Sequence, residues 1–174
     1  MKIHHIGYLI QDMAAAVNTF KNQGWKIQHE TIFDEAREIF ICFMENSGVV
    51  IELVQPSENC RLFTKLQKRI GNAPYHICYL SGEADFDGMI EKLQAQGNFL
   101  VQPPQNAVAL ENRKVVFFMN EATGLFEVID EKNTLDNSGA QCVSLPRAKS
   151  QEPRAIIIPF QNFSSVKKHF LRAA

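Results

Sequence analysis

The stretch His5-Ile6-Gly7-Tyr8-Leu9 recurs 71 residues later as His76-Ile77-Cys78-Tyr79-Leu80. Both stretches are short, apolar and rich in residues that favour β-strands, so each predicts a buried strand that carries one histidine. Similarity at a fixed separation within one chain indicates that a structural unit is repeated. The sequence therefore predicts two copies of one module, each opening with a histidine strand.

A helix pattern follows each of these strands. The first helix is predicted to begin at Asp12 as its N-cap, and the second at Asp85. Each has apolar residues at positions i, i+4 and i+7, and a glycine where the helix should end. The matching positions are Met13, Val17, Phe20 and Gly24 in the first copy and Phe86, Ile90, Leu93 and Gly97 in the second. The repeat therefore includes the helix.

Strand patterns return after each helix, bounded by turn residues. They are predicted at 25–33, 38–45 and 49–55 in the first half and at 98–102, 106–110, 114–120 and 124–130 in the second. A linker helix is predicted from Arg61 to Ile70, with Gly71 as its stop. Each half is read as a β-α-β-β-β module, with one strand pattern more in the second half than in the first, which predicts an α+β fold built from a pseudo-twofold pair of modules.

The predicted organisation has four segments: a first module (1–56), a linker helix (57–73), a second module (74–130) and a C-terminal extension (131–174). The extension has no counterpart in the repeat. It is polar and turn-rich at first, and then predicts a strand at 155–159 and a short helix from Ser164 to Leu171. Three roles fit it: a lid over a cleft, a cover for a sheet edge, or support of a homodimer.

Composition narrows the classes of function. The chain has 174 residues, 45% of them hydrophobic, and a formal net charge of −1, which gives no support for a nucleic-acid or membrane-surface role. No apolar run approaches the roughly 20 residues that span a bilayer, and the N-terminal stretch lacks a signal-peptide pattern. The four cysteines lack C-x-x-C spacing, so we expect reduced thiols in a cytoplasmic protein without nucleic-acid or membrane partners.

The candidate metal-binding residues are predicted on the first and last strands of each half. The closing strands are predicted to carry Glu52 and Glu127, which follow the histidines by 47 and 51 residues. A carboxylate inside an apolar strand is costly to bury unless something compensates it. Pseudo-twofold packing would bring both glutamates together with His5 and His76. Two imidazoles and two carboxylates suit one divalent ion such as Co, Zn, Ni, Mn or Fe(II), with positions left open for substrate.

Strand alternation selects one residue of the His4-His5 doublet. His5 shares a face with Gly7, and His76 shares one with Cys78, so small neighbours would leave room beside the metal. His4 and Tyr75 are predicted to point the other way. The alternative to a metal centre is a degenerate repeat that has lost its metal.

These residues resemble a known family. The paired modules with H-I-x-Y-L openings, and with Glu52 and Glu127 in E-L-V and E-V-I closings, are similar to the vicinal oxygen chelate superfamily, which includes glyoxalase I, extradiol dioxygenases and methylmalonyl-CoA epimerase. The resemblance covers residues 1–130. It implies a glyoxalase-like, U-shaped cleft and carries over His5, Glu52, His76 and Glu127 as ligands of one divalent metal.

Within that superfamily the pattern is nearest to methylmalonyl-CoA epimerase. Shared features are the His5 strand, the E-L-x-x-P segment that begins at Glu52, an R-x-x-F-like strand at Arg113 and the G-L-x-E-V closing at Glu127. The segment 105–111 departs from the family because it lacks the glycines expected there. Tyr75 also stands where a histidine is usual, and the extension has no family equivalent.

The resemblance implies proton removal beside a thioester carbonyl, with the metal stabilising the enolate. Glu127 is the first candidate for the base and Glu38, at a strand start, is the second. Arg113 and Lys114 are candidates for binding a phosphate or carboxylate of the substrate. The expected partner is a small-molecule substrate of the acyl-CoA or glutathione thioester class.

Other activities remain open at this stage. A glyoxalase I-like lactoylglutathione lyase uses a similar ligand set, and a non-enzymatic member would only bind a small molecule in the cleft. Extradiol dioxygenases use two histidines and one glutamate around Fe(II). A carboxylate at Glu52 therefore counts against ring cleavage.

Overall fold

The computed structural model describes residues 1–82 and 85–131. It contains three α-helices, eight strands and one 3-10 turn in these ranges. The helices are α1 (Met13–Asn22), α2 (Arg61–Ile70) and α3 (Phe86–Ala95), and the 3-10 turn is Val108–Leu110. The strands are β1 (Lys2–Leu9), β2 (Lys26–Asp34), β3 (Ile39–Asn46), β4 (Val49–Pro56), β5 (Ala73–Leu80), β6 (Phe99–Ala107), β7 (Arg113–Asn120) and β8 (Gly124–Ile129).

The eight strands form one mixed sheet in the order β2-β3-β4-β1-β5-β8-β7-β6. Each half contributes four adjacent strands, and the halves join where β1 pairs with β5 in antiparallel fashion. On either side of this junction β1 pairs with β4, and β5 with β8, in parallel fashion. From either edge inward, the strands are the second, third, fourth and first of one module. The predicted α+β fold with a pseudo-twofold pair of modules is therefore confirmed.

The helix ends agree with the sequence pattern. The Asp12 side chain accepts a hydrogen bond from the Ala15 backbone N–H at 2.9 Å, and Asp85 accepts one from Gly88 at 3.0 Å. Both bonds satisfy backbone donors of the first helical turn, which have no partner within the helix. Gly24 follows α1 with φ 91°, a conformation that favours glycine over other residues.

The sheet buries apolar residues on both faces. On one face α1 and α3 cover two separate clusters, one around Met44 and Leu53 and the other around Phe118 and Val128. On the opposite face a third cluster continues across both halves and is joined by Phe63 and other residues of α2. Because this third cluster spans the junction between β1 and β5, a site on its face can use residues of both modules.

The region after α3 differs from the prediction of separate strands at 98–102 and 106–110. One strand, β6, runs through Pro103 and Pro104, and residues Val108–Leu110 form the 3-10 turn. The pairing of β6 with β7 shifts register twice before Gln105. β6 lies at the sheet edge, where the missing N–H of a proline is tolerated. The prolines therefore bend an edge strand rather than separate two strands.

Several expectations concern residues outside the described ranges. They are the strand at 155–159, the helix from Ser164 to Leu171 and the state of Cys142. Cys42, Cys60 and Cys78 are buried and free. In the ranges that the structure does describe, no helix is both long and apolar enough to cross a membrane.

Candidate metal centre and cavity

Four buried polar residues come from the four central strands, one from each. His5 lies on β1, Glu52 on β4, His76 on β5 and Glu127 on β8, and their exposed fractions are 1%, 7%, 4% and 4%. Register explains the convergence. Gly7 lies opposite both Glu52 and His76, and in the second module the equivalent Cys78 lies opposite Glu127 and His5.

The four side chains meet at a single point. The Nε2 atoms of His5 and His76 are 3.3 Å apart, and each lies 3.3 Å from Oε2 of Glu127. Oε2 of Glu52 lies 3.5 Å from the His5 nitrogen and 3.8 Å from the His76 nitrogen. The structure thus brings together all four residues that the sequence predicted as ligands.

These separations fit a shared cation. Metal–nitrogen and metal–oxygen bonds of about 2.0–2.2 Å place neighbouring ligand atoms roughly 3–3.5 Å apart. Oε2 of Glu127 is buried and makes no conventional hydrogen bond. A buried oxygen of this kind calls for a partner, and an ion at the meeting point would be one. The donor set, with two imidazoles and two carboxylates, suits a divalent metal of borderline character.

Electrostatics at the centre favour positive charge. Burial alone would lower the pKa of His5, but the carboxylates of Glu52 and Glu127 outweigh it and raise the pKa to about 9. Burial would raise the pKa of Glu127, yet contacts with His5 and His76 hold it well below its usual range. The two carboxylates therefore stabilise a cation at this point, which is a proton on His5 or a metal.

Gly7 leaves space for the His76 ring. A Cβ built on Gly7 would overlap three atoms of that imidazole, so a side chain here cannot coexist with the ring in place. The corresponding residue of the second module is Cys78, which is fully buried and has a side chain. The prediction of small residues beside both histidines agrees with this arrangement, but only Gly7 has a neighbour that forbids any Cβ.

The prediction that His4 and Tyr75 point away from the site is wrong. The pairing of β1 with β5 shifts register at both residues, so each is an extra residue in a β-bulge. A bulge breaks the alternation of faces on which the prediction depended. Nδ1 of His4 lies 2.8 Å from Nδ1 of His5, and the Tyr75 ring packs edge-on against His76.

A cavity of about 770 Å³ lies against the centre. Glu52 and Glu127 are part of its wall, whereas His5 and His76 are not. Its lining is mostly apolar and includes Ile41, Phe63, Leu66, Ala109, Leu110 and Phe117. A volume in this range and a largely apolar wall with few polar groups are typical of small-molecule sites.

The remaining predicted site residues do not line this cavity. Arg113 donates to the Leu110 carbonyl at 3.2 Å and borders a smaller cavity beside His4. Lys114 is exposed. Glu38 accepts a hydrogen bond from the Ser57 hydroxyl at 2.9 Å and lies apart from the four-residue centre. The structure gives Arg113 and Glu38 protein partners of their own.

Two wall residues were missed by the sequence reasoning. Tyr75 lines the cavity together with both glutamates, and burial followed by the charges of Glu52 and Glu127 raises its pKa well above the usual value. Arg37 lies on the same wall with a nearly buried side chain. A tyrosine at the position before the second histidine was a signal for Tyr75. No sequence pattern marked Arg37, because its position depends on how the β2–β3 turn folds.

Comparisons with known proteins agree with this architecture. A family model described as the Glyoxalase/Bleomycin resistance protein/Dioxygenase superfamily matches residues 27–117. No curated protein sequence gives a significant match.

Solved structures share the fold at low identity. A hypothetical protein, BH1468, from Bacillus halodurans C-125 is 19% identical, with a TM-score of 0.66 over 78% of this chain and 98% of its own. Methylmalonyl-CoA epimerase from Mycobacterium tuberculosis is 18% identical, with a TM-score of 0.64 over 74% of this chain and 87% of its own. A variant of the Streptomyces coelicolor methylmalonyl-CoA epimerase, in complex with 2-nitronate-propionyl-CoA, is 18% identical, with a TM-score of 0.65 over 76% and 96%.

Proposed function

The chain belongs to the glyoxalase/bleomycin resistance protein/dioxygenase superfamily, and we propose that it is a metal-dependent isomerase or lyase of this group. The proposed reaction is removal of a proton beside a thioester carbonyl, as in the epimerisation of an acyl-CoA such as methylmalonyl-CoA. Structural likeness to proteins named methylmalonyl-CoA epimerase supports the choice of reaction. The proposed site residues are those of the four-residue centre and the adjoining cavity.

One observation supports this proposal most directly. Glu52 and Glu127 belong both to the buried four-residue centre and to the wall of the cavity, while His5 and His76 lie behind them. A purely structural ion would be closed off by protein on all sides. Here the carboxylate side of the centre meets a space large enough for an organic molecule.

His5, Glu52, His76 and Glu127 would hold the metal. A bound divalent ion would supply Lewis-acid stabilisation of the negative charge that develops on substrate oxygens. The apolar walls contributed by Phe63 and other residues exclude water, which strengthens every charge interaction in the cavity.

Glu127 is the proposed base. Its carboxylate contacts both imidazoles and borders the cavity, so a modest side-chain movement would carry an oxygen from the centre towards a substrate. A carboxylate that gives up two imidazole contacts becomes more basic, because those contacts stabilise its ionised form. Glu38, the second candidate, would first have to leave Ser57. Epimerisation also needs a group that transfers a proton on the opposite face of the reacting carbon. The Tyr75 hydroxyl is proposed for that role, because Tyr75 also borders the cavity.

The proposed substrate is a thioester of the acyl-CoA or glutathione class. The cavity volume of about 770 Å³ accommodates an acyl group and part of its carrier. Arg113 and Lys114 lie outside the cavity, at the start of β7, and are proposed only as contacts for a phosphate or carboxylate of the carrier.

The test has two stages. First, the metal content of the purified protein is measured beside the variants His5→Ala and Glu127→Ala. His29→Ala is the matched control, because this exposed histidine lies outside the four-residue centre. We expect about one divalent ion per chain in the wild type and the control, and loss in both site variants. A wild type that binds no divalent ion when supplied with it would rule out the metal centre.

Second, exchange of the α-proton of methylmalonyl-CoA is followed by NMR in deuterated buffer with metal-loaded protein. We expect exchange that depends on metal and is abolished in Glu127→Gln. Absence of exchange with methylmalonyl-CoA and related acyl-CoA thioesters would remove the epimerase assignment. Lactoylglutathione formed from a glutathione hemithioacetal would identify the lyase instead. Ligand binding that survives chelation and Glu127→Gln, without turnover, would identify a non-enzymatic binder.

A further inference from the structure

Arg37 is a cation held inside the wall of the cavity. It lies in the turn between β2 and β3, and its side chain is only 10% exposed. Asp34, itself 2% exposed, accepts a hydrogen bond from the Arg37 backbone N–H at 3.1 Å and pairs with Nη1 of the guanidinium. Nη1 also donates to the Asn106 carbonyl at 3.1 Å. The guanidinium is therefore fixed between the first module and β6 of the second.

One end of this guanidinium has no partner. Nη2 of Arg37 is buried and makes no hydrogen bond to any described residue. Arginine presents five N–H donors in a rigid fork, and Nη1 uses its two on Asp34 and Asn106. Buried polar groups in proteins nearly always have hydrogen-bond partners. The orphaned donors call for an acceptor that the described part of the protein does not supply.

The position of Arg37 connects this acceptor to the site. Arg37, Glu52, Tyr75 and Glu127 line the same cavity, and the charge of Arg37 acts on the Tyr75 hydroxyl, opposing the rise in its pKa. Among the described residues that form the wall, Arg37 is the one with a positively charged side chain. An anion in the cavity would find its charge partner there, because the other described residues of the wall are uncharged or acidic.

We propose that Arg37 binds an oxyanion of the substrate, a carboxylate or a phosphate, inside the cavity and away from the metal. The proposal rests on the proposed function in taking the cavity as the substrate site. It assigns the substrate two polar ends, one at the four-residue centre and one at Arg37, joined by an apolar segment against the wall. Arg37 therefore selects anionic substrates over neutral ones of the same length.

The binding test uses a series that needs no metal. Octanoate, octyl phosphate and octanamide share one apolar chain and differ in the charge and shape of the polar end. Their binding to the full-length protein is measured by calorimetry, with metal supplied and again after chelation. We expect at least one of the two anions to bind 10-fold or more tightly than octanamide, in both conditions. The stronger of the two identifies the oxyanion.

The variant Arg37→Met should lose this preference while binding octanamide as the wild type does. Unchanged octanamide binding shows that the cavity is intact. Since Arg37→Met leaves Asp34 buried without its partner, the double variant Asp34→Asn plus Arg37→Met is measured beside it. An anion preference that persists in both variants, or that is absent from the wild type, would overturn the proposal and leave the Asp34–Arg37 pair as a purely structural contact.

The two proposals fail in different ways. If the wild type binds no metal but prefers the anions, the metal centre is wrong and the oxyanion site stands. If anion binding disappears on chelation and survives Arg37→Met, the anions bind at the metal and the role assigned to Arg37 is wrong.

Discussion

The two modules supply matching residues to the proposed metal centre but support them differently. His5 and Glu52 in the first module match His76 and Glu127 in the second, in strand, register and burial. The residue before each histidine sits in a β-bulge in both modules, yet it is His4 in one and Tyr75 in the other. His5 consequently has a ring partner at Nδ1, whereas Nδ1 of His76 is buried without a hydrogen bond.

This difference shows what the repeat constrains. Strand register fixes where the side chains of the four-residue centre meet, so those residues match across the two halves. The residues that precede the two histidines, His4 and Tyr75, are not held to this match. In the first module His4 contacts Nδ1 of His5, while in the second module Tyr75 lines the cavity. The four-residue centre is thus symmetric in its own residues and asymmetric in the residues beside it.

Removing a ligand tests the symmetric part of this comparison and should have the largest effect. His5→Ala and His76→Ala should each weaken divalent metal binding by more than about 100-fold, because loss of even an outer partner costs about 10–100-fold. Competition with a chelating dye measures the affinity. Equal losses in the two variants would show that both modules contribute equally, whereas a loss in one alone would break the pseudo-twofold description of the site.

Glycine and cysteine at equivalent positions give the next contrast. Gly7→Ala should displace the His76 ring, because the added methyl overlaps it, and metal affinity should fall by at least about 10-fold. Cys78→Ala shortens a buried side chain and removes its thiol contact with Glu127, so it should cost roughly 1 kcal/mol of unfolding free energy and weaken metal binding less than Gly7→Ala does. Chemical denaturation and metal titration of both variants separate the two outcomes. A Gly7→Ala protein with normal affinity would contradict the geometry.

The supporting residue of the first module can be removed alone. His4→Ala should weaken metal binding about 10-fold, since the partner of a ligating imidazole fixes its tautomer and orientation. Tyr75→Phe, the matched change in the second module, should leave affinity as it is, because Tyr75 makes only a ring contact with His76. Metal titrations of the pair decide the matter, and similar losses in both would show that Tyr75 also supports its ligand.

The smallest effect is expected from restoring symmetry. Tyr75→His would place a second imidazole beside His76, as His4 stands beside His5. A partner for the orphaned Nδ1 should raise metal affinity by a few-fold, at most about 10-fold. The same titration serves as the readout. A decrease would show that the tyrosine ring is needed to hold His76 by packing.

Much of the fold could be predicted because it depends on local rules. The two aspartate caps, the apolar stripes and the glycine stops define α1 and α3, and α2 was predicted from Arg61 to Ile70, as observed. The four ligand candidates could be chosen because equivalent positions in a repeat must meet across its axis. In each case the signal lies within one element or in the comparison of two.

The errors arise where geometry depends on partners distant in sequence. A β-bulge reverses the facing of His4 and Tyr75, and no sequence pattern revealed that the β1–β5 pairing would shift there. The same holds for Arg37, whose burial follows from a turn that folds against Asn106 of the other module. The prolines of β6 suggested two strands because edge position is a property of the whole sheet.

The location of β1 has a consequence for how the protein is made. β1 precedes every other strand in the chain, yet it lies between β4 and β5, to which it makes all of its sheet pairings. During synthesis β1 can complete its sheet pairings only after β4 and β5 have been made. His5 can contact His76 only after 71 further residues have been added to the chain. Such distant pairings form slowly. Since the four residues of the proposed metal centre lie on β1, β4, β5 and β8, binding of a metal there would report that strands of both modules have come together.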